Sequence, residues 1–113
     1  MSDESNKVIT TVANRHYQTF DIYIGRGSKW GNPFKMVGRT KAERHRVIEL
    51  YKVWFWKQED LVGSLDELKG KVLGCYCKPA ECHGDFLSEL VNNDIRNESE
   101  YMRFKQSQSD KGE

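Results

Sequence analysis

The run from Lys71 to Val91 most limits how this chain can fold. It opens on an apolar, β-prone segment, Lys71-Val72-Leu73-Gly74-Cys75-Tyr76-Cys77, and passes through a turn containing Pro79. It leaves as a helical pattern, from about Gly84 to Asn92, in which Phe86, Leu87, Leu90 and Val91 share one face. Strand, loop and helix in that order predict an α/β layout. In open α/β sheets, ligands bind at such joints, outside the carboxyl ends of strands. All three cysteines, Cys75, Cys77 and Cys82, fall in this run, and His83 follows the last of them.

The rest of the chain supplies what that joint needs. Val8 to Ala13 is β-branched and strand-like, and Phe20 to Ile24 alternates apolar residues at 20, 22 and 24, as one buried face requires. Three glycines and Pro33 between Gly25 and Lys35 exclude regular structure there. Thr40, with Glu43 three residues on, reads as a capping box opening a helix over Lys41 to Lys57. Val47, Leu50, Tyr51 and Trp54 mark its buried face, widened by Ile48 and Phe55. Trp54, Phe55 and Trp56 cannot all point inward. His45, between Arg44 and Arg46, belongs to the solvated face. Glu59 to Gly63 reads as a connector, and Ser64 to Gly70 as a short helical turn ended by glycine. The expected fold is one α/β domain over residues 7–93, with a short, mainly parallel sheet flanked by helices. Residues 1–6 read as a disordered lead-in. Residues 94–113 read as a polar tail too poor in apolar groups to order itself, with Tyr101, Met102 and Phe104 as its anchors.

Charge narrows the function classes. Lys+Arg 18 against Asp+Glu 17 leaves a net charge of +1, so nucleic-acid binding has no global electrostatic footing and must rest on a local patch. Met1 to Asn6 is polar, unlike a secretory signal, and no apolar run approaches membrane-spanning length. An odd cysteine count without a secretory signal points to a cytoplasmic protein with reduced thiols.

Two loops carry the chemistry. Around the first, Arg26 and Lys29 supply charge, Ser28 and Asn32 supply polar groups, and glycines let backbone N–H groups approach an anion. Trp30 or Tyr76 would stack on a base. Neither a Walker loop nor a dinucleotide fingerprint has the right spacing here. The other reading is an ordinary surface turn. In the second loop, Cys75 and Cys77 project to one face of an extended strand, and Cys82 and His83 complete a Cys3His set of zinc-ligand type. The adjacency of Cys82 and His83 and the lack of a C-x2-C knuckle speak against zinc. Cys82 opens a helix, where free N–H groups favour a thiolate, so Cys82, His83 and Asp85 are candidates for nucleophilic or acid–base work. Neighbouring helical side chains do not face each other, so Cys82 and His83 are not a ready-made dyad. Alternatively, His83 and Asp85 merely cap the helix. If the strands preceding the two loops are parallel neighbours, both loops meet at one sheet edge.

The blocks Tyr23-Ile24-Gly25-Arg26-x-Ser28-Lys29-Trp30-Gly31-Asn32-Pro33-Phe34 and Leu68-Lys69-Gly70-Lys71-x-Leu73-Gly74-Cys75-Tyr76-Cys77-Lys78-Pro79-x-x-Cys82-His83-Gly84-Asp85-x-Leu87 resemble the family of domain of unknown function 4326 over roughly residues 20–92. The second block is also similar, more weakly, to domain of unknown function 488, which lacks an equivalent of Cys77. The first resemblance implies a bacterial or bacteriophage protein with a small Rossmann-like fold and a link to nucleotide or nucleic-acid metabolism. It carries no residue-by-residue activity. Three function classes follow. One is a domain that binds a nucleotide or similar phosphorylated ligand and acts on it or not. Another is a phage-encoded, non-enzymatic inhibitor of a host enzyme, at work in the host cytoplasm. The last is a small zinc-stabilised module.

Overall fold

The computed structural model describes residues 9–14, 18–76 and 80–111. Its elements run β1 (Thr11–Asn14), β2 (Ile22–Tyr23), α1 (Lys41–Trp56), α2 (Glu59–Gly63), a 3-10 turn (Leu65–Leu68), β3 (Val72–Cys75), α3 (His83–Asn92) and α4 (Glu98–Lys111). The strands form one parallel sheet in the order β1-β3-β2. Val12 and Ile22 both pair with Leu73, so these side chains share a face, and Ile24 and Cys75 continue it by the two-residue alternation of strands. Helix α3 lies on that face. Its Gly84 sits where a Cβ would meet Ile24 at 2.6 Å and Val12 at 3.1 Å, so the missing side chain lets the helix start come down onto the sheet.

The link from β1 to β2 spans only residues 15–21. Parallel strands are ordinarily joined by a crossover of about a dozen residues or more, most often a helix. Here the Gln18 N–H donates to the Asn14 carbonyl at 3.0 Å, and residues 18–21 pass over β3 to reach the far edge. Phe20 covers β3 at Gly74, where a Cβ would lie 2.5 Å from the Phe20 ring. This chain, rather than a second helical layer, covers that face of the sheet at Gly74. The α/β class and the parallel sheet agree with expectation.

Thr10 and Asn92 tie the sheet to the helices. The Thr10 N–H donates to Asn92 Oδ1 at 2.8 Å, and Asn92 Nδ2 donates back to the Thr10 carbonyl at 2.9 Å. The buried Thr10 hydroxyl donates to the Leu68 carbonyl at 2.7 Å and accepts from the Gly70 N–H at 2.9 Å. Each polar group is paired where water is excluded, and a buried group left unpaired costs about 1–3 kcal/mol.

Helix α1 buries Val47, Ile48, Tyr51 and Phe55, a face turned slightly from the one expected through Leu50 and Trp54. Phe55 is fully buried, while Trp54 and Trp56 are partly buried against the same core. Thr40 caps the helix by accepting from the Glu43 N–H at 3.1 Å. Glu43 does not complete the box. Its carboxylate takes the Val37 N–H and Arg46, and that pairing holds it at about 2. Glu59 to Gly63, expected as a connector, makes one further helical turn.

The C-terminal segment differs most from expectation. Residues Glu98–Lys111 are helical, and Ile95 and Tyr101 are buried in the core that β3, α1 and α3 also line. The physical reason is local. Asn97 caps α4 by accepting from the Glu100 N–H at 2.9 Å, Glu100 accepts from the Arg96 N–H at 2.7 Å, and Tyr101 packs its ring 5.2 Å from Phe86. Two apolar anchors and a cap suffice where composition alone argues for disorder. The lead-in over residues 1–6 lies outside the described residues.

Candidate functional site

Because β2 and β3 are parallel neighbours, the loops that follow them meet. They enclose a cavity of about 190 Å³ at the carboxyl end of the pair. Gly25 and Arg26 come from the first loop, Tyr76, Glu81, Cys82 and His83 from the second, and Arg44, Val47 and Ile48 from α1. Asn32, Phe34, Met36 and Cys75 complete the wall.

The first loop is held by its own polar groups. The Ser28 hydroxyl donates to the Gly25 carbonyl at 2.8 Å. Asn32 accepts from the Phe34 N–H at 2.9 Å and donates to the Val47 carbonyl at 3.0 Å, which pins the loop to α1. Trp30, a candidate stacking platform, is instead 2% exposed in the core, and its carbonyl accepts the Tyr51 hydroxyl at 2.8 Å. Lys29 points away from the cavity and pairs with Glu67 at 3.0 Å. Of the five candidate ligand groups in this loop, only Arg26 and Asn32 line the cavity.

The cation that sequence reasoning missed is Arg44. Arg26 and Arg44 are the cations that line the cavity, and among the described residues neither makes an ion pair. The signal for Arg44 was its place one helical turn before Val47 and Ile48, on the face that turns inward. Its neighbour His45 is exposed as expected, 3.3 Å from Glu81 through Nδ1 and 3.8 Å from Glu49 through Nε2.

At the start of α3 the cap is made by a thiol. Cys82 Sγ accepts from the Gly84 N–H at 3.3 Å, and Asp85 reaches back to the Cys82 N–H at 3.2 Å, a reciprocal capping box. Asp85 therefore serves the cap and does not line the cavity. As the capping residue, Cys82 has extended backbone, φ −147 and ψ 148, so the helical rule that separates adjacent side chains does not apply to it. Its sulfur lies 3.8 Å from His83 Nδ1. His83 Nε2 is 2.7 Å from the Ile24 carbonyl, which can only accept, so Nε2 carries the proton and Nδ1 offers a lone pair. Burial pushes His83 below its ordinary pKa, against the pull of the Ile24 carbonyl. Tyr51 packs edge-on to the imidazole with ring centroids 4.9 Å apart, and burial pushes its own hydroxyl well above the usual range. The result is a thiol, a neutral imidazole base and a carbonyl that orients the base, all at one wall.

Cys75 Sγ is 2.9 Å from Cys82 Sγ. Among the described residues no three His, Cys, Asp or Glu side chains converge to hold a metal ion. Cys77, the fourth member of the considered zinc set, lies outside them. No helix among the described residues is long and apolar enough to cross a membrane.

A small α/β domain with a cavity at the ends of two parallel strands is the class this geometry defines. The family model "Domain of unknown function (DUF4326)" matches residues 9–93, and the chain belongs to that family. It is 40% identical over 85 residues to an uncharacterised 12.4 kDa protein in the nrdA-td intergenic region of Enterobacteria phage T4, covering 72% of this chain and 76% of the relative. It is 35% identical over 91 residues to an uncharacterised protein of Acanthamoeba polyphaga mimivirus, covering 65% of this chain and 68% of that one. No solved structure matches the chain.

Proposed function

We propose that the domain binds a phosphorylated small molecule of the nucleotide class, with its anionic group between Arg26 and Arg44. The observation that carries this reading is the pair of arginines, without ion-pair partners among the described residues, on an otherwise largely apolar cavity at the strand ends. Such sites are mostly apolar, with a few polar groups that fix orientation. At about 190 Å³ the cavity is smaller than the roughly 300–1,000 Å³ that encloses a whole drug-sized ligand. One end of the ligand enters and the rest lies across the mouth, where the half-exposed Tyr76 offers a ring to a base. Glu81 faces hydroxyl groups rather than phosphate. Cys82 stands at the same wall, with His83 Nδ1 3.8 Å from its sulfur as a base for the thiol proton.

Isothermal titration with nucleoside monophosphates, nucleoside diphosphates and inorganic phosphate tests this. Arg26→Ala and Arg44→Ala should each weaken binding about 10- to 100-fold, since a hydrogen bond to a charged group contributes about 1.5–3 kcal/mol. Lys29→Ala should leave it unchanged. Absence of binding across the set, or equal losses from Lys29→Ala and Arg26→Ala, would overturn the reading.

A further inference from the structure

Neither capping nor ligand binding calls for a second sulfur against Cys82, yet Cys75 supplies one at 2.9 Å. The two sit at fixed places: Cys75 closes β3 and Cys82 opens α3. Both are about 1% exposed, and both line the cavity, through which a small reagent can reach them. A disulfide bond is about 2.0 Å long, so the sulfurs need only about 0.9 Å of closure. The neighbours of Cys82 that cap the helix also suit it to this chemistry. The Gly84 N–H donates to its sulfur and the His83 Nδ1 lone pair faces it at 3.8 Å, which are the means of forming and holding a thiolate.

The geometry points to Cys75 and Cys82 as a redox dithiol that a hydroperoxide oxidises to a disulfide. His83 Nδ1 takes the Cys82 proton, and the thiolate attacks one peroxide oxygen. The O–O bond breaks, and the departing hydroxide takes the proton from His83 and leaves as water, so Cys82 becomes a sulfenic acid. Cys75 then attacks the Cys82 sulfur. The S–O bond breaks as the S–S bond forms, and the released hydroxide takes the Cys75 proton as a second water. Two thiols are oxidised, one hydrogen peroxide is reduced, and two waters leave. The product ties the end of β3 to the start of α3 beneath the cavity.

The test uses the full chain, folded, treated with hydrogen peroxide and then alkylated, digested without reductant and mapped by mass spectrometry. The expected result is loss of two hydrogens in a peptide pair joining Cys75 to Cys82, reversed by dithiothreitol. It should form at an unchanged rate in Cys77→Ser, which shows that Cys77 is not needed. In Cys75→Ser the reaction should stop at a dimedone-trappable sulfenic acid on Cys82. His83→Gln should slow oxidation while circular dichroism shows the fold retained. A disulfide that uses Cys77, or peroxide addition with no Cys75–Cys82 bond in the wild-type chain, would sink the proposal. The wild-type map alone decides this if a serine variant fails to fold.

Discussion

His83 divides two tasks between its two ring nitrogens. Nε2 holds the chain, by donating to the Ile24 carbonyl, and Nδ1 faces the chemistry at Cys82. This division gives the residue a pH signature. In the unfolded chain His83 takes a proton near its ordinary value of 6.5, whereas burial delays that protonation in the fold to lower pH. Between the two values the unfolded state holds more protons, so stability rises with pH across that window. The His83 contribution is therefore fully present above about pH 6.5 and is lost as pH falls below it, by at most about 1.4 kcal/mol per pH unit. Urea midpoints should fall between about pH 7 and pH 5.5, and His83→Gln, whose amide can still reach the Ile24 carbonyl, should flatten that slope. An unflattened slope would assign the dependence to another group. Sequence spacing placed His83 at the site but argued against its reaching Cys82, because it treated both residues as helical. The capping position breaks that rule, and only φ and ψ reveal it.

Among the elements, β3 decides how the sheet is built. A methyl group at Gly74 would strike the Phe20 ring, which is how the short β1–β2 link crosses the sheet. Gly74→Ala should therefore cost about 1–3 kcal/mol by overpacking. Phe20→Ala in the same chain should return part of that loss, because the two side chains compete for one space. Denaturant melts of both single variants and the double variant give the coupling directly, and simple additivity would refute the contact. The strands themselves were legible, since Ile22 and Ile24 alternate and Val72 to Cys75 is a short β-prone run, although each element proved shorter than its pattern. Their order was not legible. Alternation reports which face a residue takes, never which strand lies beside it. The same limit explains Arg44. A charged triplet with His45 and Arg46 looks uniformly solvated until α1 is seen to bury Ile48 and Phe55 fully and Leu50 and Trp54 only in part.

Across the whole molecule, α4 closes a core that α1 and α3 leave open. Tyr101 is 4% exposed, and its ring stands 5.2 Å from Phe86 and 6.1 Å from Trp56. Tyr101→Ala should cost about 3–5 kcal/mol, as for other large aromatics cut from a core, and hydrogen exchange should show α4 losing protection before α1. Uniform protection across both helices would mean that α4 does not depend on this anchor. The Asn97-x-x-Glu100 cap was readable in the sequence, and the low apolar content of residues 94–113 masked it. Strand order has a consequence in time. Both outer strands are made before the central one, and Thr11 waits roughly sixty residues for its partner Val72. A nascent chain therefore leaves the ribosome with two sheet edges and no middle. No fragment ending before Val72 can close this sheet, and its folding is committed late, in a single long-range step.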